Sequence, residues 1–222
     1  VAGVCAAPAD TPPPGALPEG AAGDPALGRQ HRRRSPLRAR VGAAHPGRAF
    51  GELLRDRHAV PDWLDDPARH ALVEYMTGFR MSFRGPLIRR LGFDEALAGY
   101  GLSEDVEASL AAARHGLLVG ALEARIYHHR MPGGRHDPYR AGVVGILNRV
   151  YLVEKHLAAA GLSRQEKARV GRTLDGFLRL AHLHALAGAG RAAGRARLSG
   201  TRAGMRQAAA LRGGPPETLA AR

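Results

Sequence analysis

Long apolar runs, alternation and helical periods follow one another along the chain, and most elements can be read from where one pattern gives way to the next. "VAGVCA" at the start is a short unbroken apolar run, the signature of a buried strand. Residues 8–48 turn to Pro, Gly, Ala and Arg, as in "TPPPGALPEG" and "RQHRRRSPLRAR". No apolar period survives there, which predicts a flexible linker. Order returns near Phe50, where "FGELLRDRHAVPDWLDD" predicts a short helix and a turn. "ALVEYMTG", 71–78, predicts a strand ending at Gly78. "GPLIRRLG", 85–92, predicts a short helix with Pro86 near its first turn. The clearest helix is "SEDVEASLAAARHG", 103–116: Ser103 can cap it, acids fill its first turn, and Gly116 ends it. Val106, Leu110 and Ala113 fall on one of its faces.

"LLVGA" and "ARIYHH" predict two short strands. Pro138 then precedes an amphipathic helix over about 140–160, with Val143, Leu147, Val150 and Leu157 near one stripe. Gly161 and Ser163 mark a break before a second helix, 164–187, through Val170, Leu174, Phe177 and Ala181. The rest is Ala, Gly and Arg without a core of its own, and predicts a loose basic tail. No internal repeat is present. The pattern divides the chain into 1–49 (strand and linker), 50–160 (main α/β portion) and 161–222 (helix and basic tail).

Composition sharpens this. At 222 residues and 45% hydrophobic content, the chain suffices for one domain with tails. Its formal charge of +13 favours acidic partners such as phosphates, anionic lipid or nucleic acid. All but two of the cations, Lys155 and Lys167, are arginine, a bias that GC-rich coding also produces. Arg32-Arg33-Arg34 has no interleaved aromatics and reads as a solvated loop. Cys5 is the only cysteine, which excludes an internal disulfide and Cys-based zinc sites. No apolar run has transmembrane length, and "VAGVCAAPAD" makes a poor signal peptide. A cytoplasmic setting is the expectation, peripheral at the inner membrane face if the basic 164–222 segment meets anionic lipid.

The candidate chemistry lies in "SEDVE". Acids at a helix start meet unpaired N–H groups and the positive end of the dipole, so Glu104, Asp105 and Glu107 can serve stability alone. Two adjacent carboxylates also suit proton abstraction, one holding geometry while the other takes the proton. Both readings are open on these residues alone.

The flanks add more. "TGFRMSFRGPLIRRLGFDEALAGYGLSEDVEASLAAARHG" resembles the second half of the catalytic domain of family 2 glycosyltransferases, which have the GT-A fold. The match runs through Gly78, Met81, Ser82, Phe83 and Arg84, then Gly92-Phe93-Asp94-Glu95, Gly99-Tyr100-Gly101 and Glu104-Asp105, with "EARIYHHR" resembling the following strand. It covers about residues 70–155, in order. The resemblance implies an α/β fold containing part of a GT-A-type mixed sheet with covering helices, followed by C-terminal helices and a basic tail. It implies Asp105 as general base of an inverting transfer and Glu104 as a positioning group. Gly78, Arg80, Ser82, Arg84 and Gly101 would wall the acceptor and donor side. His128 would approach the diphosphate or its metal, with His129 as the interchangeable neighbour, and an exposed basic strand end is the other reading of both. Arg84, Arg130 and Arg135 can contact phosphate or lie on the surface.

The implied substrates are a nucleotide-diphosphate sugar and a glycan or lipid-linked acceptor, in cell-envelope polysaccharide, glycan or glycolipid synthesis, with Mg²⁺ or Mn²⁺ as cofactor. Two departures stand out. Arg80 occupies a position that is asparagine in many relatives. The nucleotide-binding half with its Asp-x-Asp metal motif has no counterpart, because Asp65-Asp66 reads as part of a turn. The chain is therefore expected to be a fragment of such an enzyme, and inactive in isolation. The alternatives are a non-catalytic remnant of the same fold and a basic nucleic-acid binder. The latter calls for aromatics among the Arg clusters. Aromatics are only 5% and lie mainly in the 50–160 portion, so nucleic acid is not expected as a partner.

Overall fold

The computed structural model describes residues 1–8, 45–64, 66–67, 69–97, 102–127, 137–159 and 161–212. The described residues form an α/β fold with one four-stranded mixed sheet and six α-helices. The predicted linker lies almost wholly outside them.

The opening apolar run forms β1, Gly3–Pro8. It occupies the sheet interior between β3, Met81–Phe83, and β4, Leu118–Ile126, while β2, His70–Leu72, pairs on the far side of β4. β1 runs parallel to β4, and the outer pairs are antiparallel. Two expectations change here. The strand predicted over 71–78 stops early: β2 ends at Leu72, and one further bond runs from the Val73 N–H to the Leu118 carbonyl at 3.1 Å. The chain then turns through a 3₁₀ segment, Gly78–Arg80, into β3. The two strands predicted from "LLVGA" and "ARIYHH" are one strand, because β4 is continuous. Its register against β1 shifts between Ala6↔Ala121 and Ala7↔Arg125, and that bulge is the break the sequence pattern carries.

Helix α1, Pro46–Arg55, opens on Pro46 behind His45, whose Nδ1 accepts the Gly47 N–H at 3.2 Å. Its apolar face places Phe50 and Leu54 in the core, against α3 and α5. Helix α2 is Gly85–Leu91 and helix α3 is Glu104–Ala113. α3 was expected to bury one face. It is buried nearly all round, from Val106 to Ala113, because its remaining sides are mostly Ala and Ser.

Helices α4, Pro138–Ala159, and α5, Arg164–Ala187, follow the predicted boundaries closely. Ser163 and Glu166 close a capping box at the start of α5. The expected loose tail is corrected: residues 192–211 form helix α6, Ala192–Leu211, packed on α4. Its buried surface is Leu198, Thr201, Ala203 and Ala208 beside glycines, with Met205 packed on the core, too few large side chains to give the signal of a hydrophobic stripe. Tyr139 meets Gly200 and Ile146 meets Gly204, while Arg212 reaches Glu154 at 3.9 Å, so α4 and α6 run parallel. A Cβ at Gly200 would run into the Tyr139 carbonyl, and one at Gly142 would lie 2.5 Å from the Arg197 carbonyl oxygen. Glycine at these positions lets the two backbones approach. Among the described residues no helix is long and apolar enough to cross a membrane.

Candidate functional site

Helix α3 begins in an unusual way. Ser103 has φ 82° and ψ 13°, the left-handed region, and its buried side chain makes no capping hydrogen bond. The expected Ser103 cap is therefore absent. Left-handed backbone at a non-glycine residue costs about 1–3 kcal/mol and persists only where the surroundings fix it. Around Ser103 the Asn148 side chain donates to the Leu102 carbonyl at 2.7 Å and the Glu107 N–H to the Ser103 carbonyl at 3.0 Å, while the side chain that bonds the first-turn backbone is that of Asp105. Its Oδ1 accepts the Val106 N–H at 2.8 Å, and its Oδ2 accepts the Gly78 N–H at 3.1 Å. One turn on, the Ser109 hydroxyl donates to the Asp105 carbonyl at 2.6 Å and accepts the Met76 N–H at 2.9 Å. The 76–78 segment thus hangs on α3 by two backbone donors, and Gly78 stands against Asp105.

Glu104 is exposed beside it. Partial burial, then the Asp105 charge, hold its carboxyl above the usual glutamate range. Arg80 sits at the C-terminal end of β1, its Nη1 donating to the Ala6 carbonyl at 3.2 Å. Ser82 is exposed in mid-β3 opposite Val4, and exposed Arg84 follows at the far end of that strand, its N–H bonded to the Ala2 carbonyl. Of the residues singled out from the sequence, Gly78 and Asp105 touch, with Glu104 adjacent and Arg80 two residues beyond Gly78. Ser82 and Arg84 lead away from them. Gly101 and His128, like Gly99, Tyr100, His129, Arg130 and Arg135, lie outside the described residues.

Three groups near Asp105 were not anticipated. Tyr75 has its phenol pushed up, first by burial and next by the Asp105 charge. The His45 ring lies 5.3 Å from Tyr75 and 5.5 Å from Phe177, and burial, reinforced by Arg149, brings its pKa down to about 3. The Arg149 guanidinium stacks 5.0 Å from the Phe177 ring centre and donates to the Gly145 carbonyl at 2.7 Å, while its buried Nε has no partner. Burial lowers the Arg149 pKa, and the Tyr75 and Asp105 charges act against that. A His-Pro pair opening a helix was the available signal for His45. Arg149, one arginine among many, gave none.

A second polar cluster joins Asp94 to α3 and α4. Lys155 Nζ donates to Asp94 Oδ2 at 2.6 Å and to Glu107 Oε1 at 2.5 Å, and the Tyr151 hydroxyl donates to Asp94 Oδ2 at 2.7 Å. Glu107 is only 2% exposed, so it is a buried half of an ion pair rather than a solvated helix-start acid. Burial raises the Asp94 carboxyl, but bonds from Lys155, Tyr151 and the Ala96 amide outweigh it and hold it below the usual range. Burial likewise opposes the Lys155 charge, and its two carboxylate partners override it and raise that pKa. His156 lies behind, 3.7 Å from Glu107 Oε1, with both ring nitrogens unpartnered; burial, with Arg114 and Lys155, brings it to about 3. An open cavity of about 360 Å³ adjoins the cluster, lined by residues including Phe93, Asp94, Glu107, Arg114 and Lys155. The signal here was one of only two lysines in an Arg-rich chain.

Among the described residues no group of three His, Cys, Asp or Glu side chains is placed to hold a metal ion. The chain matches no protein-family model, no curated protein and no solved structure.

Proposed function

We propose that this chain forms the acceptor-side half of an inverting glycosyltransferase of family 2 type, with a partial GT-A-type sheet. One observation carries the reading. Asp105 opens α3 with its carboxylate held against Gly78, so the acidic pair and the glycine of the preceding motif, 27 residues apart, meet in space. That juxtaposition supports the reading, in which residues 78–84 wall the acceptor side.

A sugar hydroxyl is a poor nucleophile until its proton leaves. In the proposed step the acceptor oxygen bonds to the anomeric carbon as the bond from that carbon to the diphosphate breaks. The leaving diphosphate takes the electron pair, and Asp105 takes the hydroxyl proton, a role typically worth about 10²–10⁴ in rate. Glu104 orients the acceptor, with Arg80 on the same side. The reading assigns the nucleotide, and Mg²⁺ or Mn²⁺ with it, to a nucleotide-binding half. No step here runs through a metal, since no residue set described above fits one. The acceptor class is a glycan or lipid-linked sugar made on the cytoplasmic side of the cell envelope.

A second reading has its own support. Both Asp105 oxygens already accept backbone N–H groups, so Asp105 also serves as a tie between α3 and residues 76–78. On that reading the chain is a non-catalytic piece of the same fold. The two separate in an assay of the enzyme supplied with its nucleotide-binding half and a panel of UDP-, GDP- and dTDP-sugars. Acceptor-dependent release of nucleoside diphosphate, with inversion at the anomeric carbon by NMR, is expected. No turnover with any donor and acceptor pairing favours the non-catalytic tie.

A further inference from the structure

From Gly176 to Pro216 the sequence holds seven arginines and no Asp or Glu. The fold gathers the middle of this run at one place, the α5–α6 turn. Arg179, His182, Leu183 and Leu186 follow the i, i+3, i+4, i+7 spacing and share one face of the last two turns of α5. Leu183 is 54% exposed and Leu186 49% exposed. Exposed Arg191 and Arg195 follow across the turn at the start of α6. Arg191 is the N-cap residue of α6, and Arg195 donates from Nη1 to the Gly190 carbonyl at 3.5 Å, yet cations at a helix start oppose the dipole and both side chains stay exposed.

The apolar face of α5 predicted from the sequence is not available to a partner. Val170 and Leu174 are fully buried in the core, and Phe177 packs against it. The exposed leucines are a separate feature, at the distal end of the helix. Single exposed apolar residues are ordinary. Two on one helical face, beside the exposed Arg179, Arg191 and Arg195, are less so, and Asp175, the acid one turn before Arg179, is held by Arg212 at 2.6 Å.

We propose that the α5–α6 turn docks on an anionic phospholipid leaflet, Leu183 and Leu186 entering the acyl boundary and Arg179, Arg191 and Arg195 meeting the headgroup phosphates. Charge complementarity argues for a polyanion, and the paired leucines beside the arginines argue for lipid, whose phosphate layer lies directly over an acyl layer they can enter without unstacking bases. The docking does not rest on glycosyl transfer, and its test reads binding alone.

The experiment is co-sedimentation of the full chain with vesicles of phosphatidylserine and phosphatidylcholine, or of phosphatidylcholine alone. Binding is expected only with phosphatidylserine, and should fall steeply between low and high salt as screening shortens the reach of the charges. Arg179→Gln/Arg191→Gln/Arg195→Gln should weaken it by roughly a hundredfold, at about fivefold per cation. Leu183→Ser/Leu186→Ser should weaken it by about tenfold or more with circular dichroism and melting unchanged, because both side chains are exposed. Equal binding to neutral vesicles, or no binding in low salt, overturns the proposal. So does a Leu183→Ser/Leu186→Ser variant that binds like wild type. Tight binding to an oligonucleotide, insensitive to the leucine changes and displacing the vesicles, assigns the surface to nucleic acid instead.

Discussion

Replacing Lys155 by methionine tests whether the cluster it forms with Asp94 and Glu107 organises the structure. Methionine keeps the length of the stem and removes the charge. Glu107 and Asp94 then face each other at side-chain exposures of 3% and 12%, with no cation between them. Removing one partner of a fully buried pair costs about 3–5 kcal/mol. Lys155 itself is 31% exposed, so the lower end applies, about 3 kcal/mol. For a chain of this size that corresponds to a melting point lower by roughly 6–12 °C. The assay is urea or thermal unfolding followed by circular dichroism at pH 7 and pH 5. The pH dependence carries a sign. In the wild type the Asp94 pKa is depressed by folding, so its contribution is complete above the ordinary aspartate range and is lost as pH falls through the folded value. In the variant a proton on Asp94 relieves the repulsion, so the deficit should shrink from pH 7 to pH 5. Adding Glu107→Leu should restore much of the loss, because a paired apolar replacement removes the orphaned charge. A Lys155→Met cost below about 1 kcal/mol, unchanged with pH, would mean that the cluster behaves as a solvated surface pair and refute the reasoning.

Gly200→Ala drives a Cβ into the Tyr139 carbonyl and should cost about 1–3 kcal/mol by forcing α4 and α6 apart; an unchanged urea midpoint contradicts the close parallel packing. His45 and His156 are both brought to about 3 on folding, so the unfolded chain binds more protons below the free histidine value near 6.5. Stability from this source is complete above pH 6.5 and falls with pH, by about 1.4 kcal/mol per histidine at pH 5.5; imidazole NMR titrations showing either group charged at pH 6 in the folded protein contradict it.

What the sequence disclosed depended on the kind of surface each element buries. β1 was legible because its whole length is apolar, and α4 and α5 because large side chains recur at helical period between Pro138, Gly161 and the Ser163 cap. α6 was invisible to the same reasoning. It buries Leu198, Thr201, Ala203 and Ala208 beside glycines, with only Met205 as a second large apolar residue on the core, so its packing rests more on close backbone approach than on a strong stripe. The β4 bulge was mistaken for a strand break because a register shift and a turn leave the same local pattern. At the candidate site, the Glu104-Asp105 pair and Gly78 were legible as motifs. Their contact is a tertiary event that sequence spacing does not specify. The left-handed Ser103 inverted a local rule, since serine at that place ordinarily caps. Lys155 and Glu107, 48 residues apart, found each other through the packing of α3 on α4, which no local pattern encodes.

The central claim is that Asp105 takes a proton, and Asp105→Asn tests it most directly. Asparagine is nearly isosteric, and its carbonyl oxygen can accept only one of the two N–H groups, Val106 or Gly78, that the carboxylate engages. A small stability cost, about 1 kcal/mol, is expected on either reading of the site. The catalytic reading adds a loss of about 10²–10⁴ in transfer by the enzyme bearing its nucleotide-binding half, with donor binding and circular dichroism intact. A variant that keeps more than about a tenth of wild-type turnover contradicts the general-base role and leaves Asp105 as a tie between α3 and the 76–78 segment.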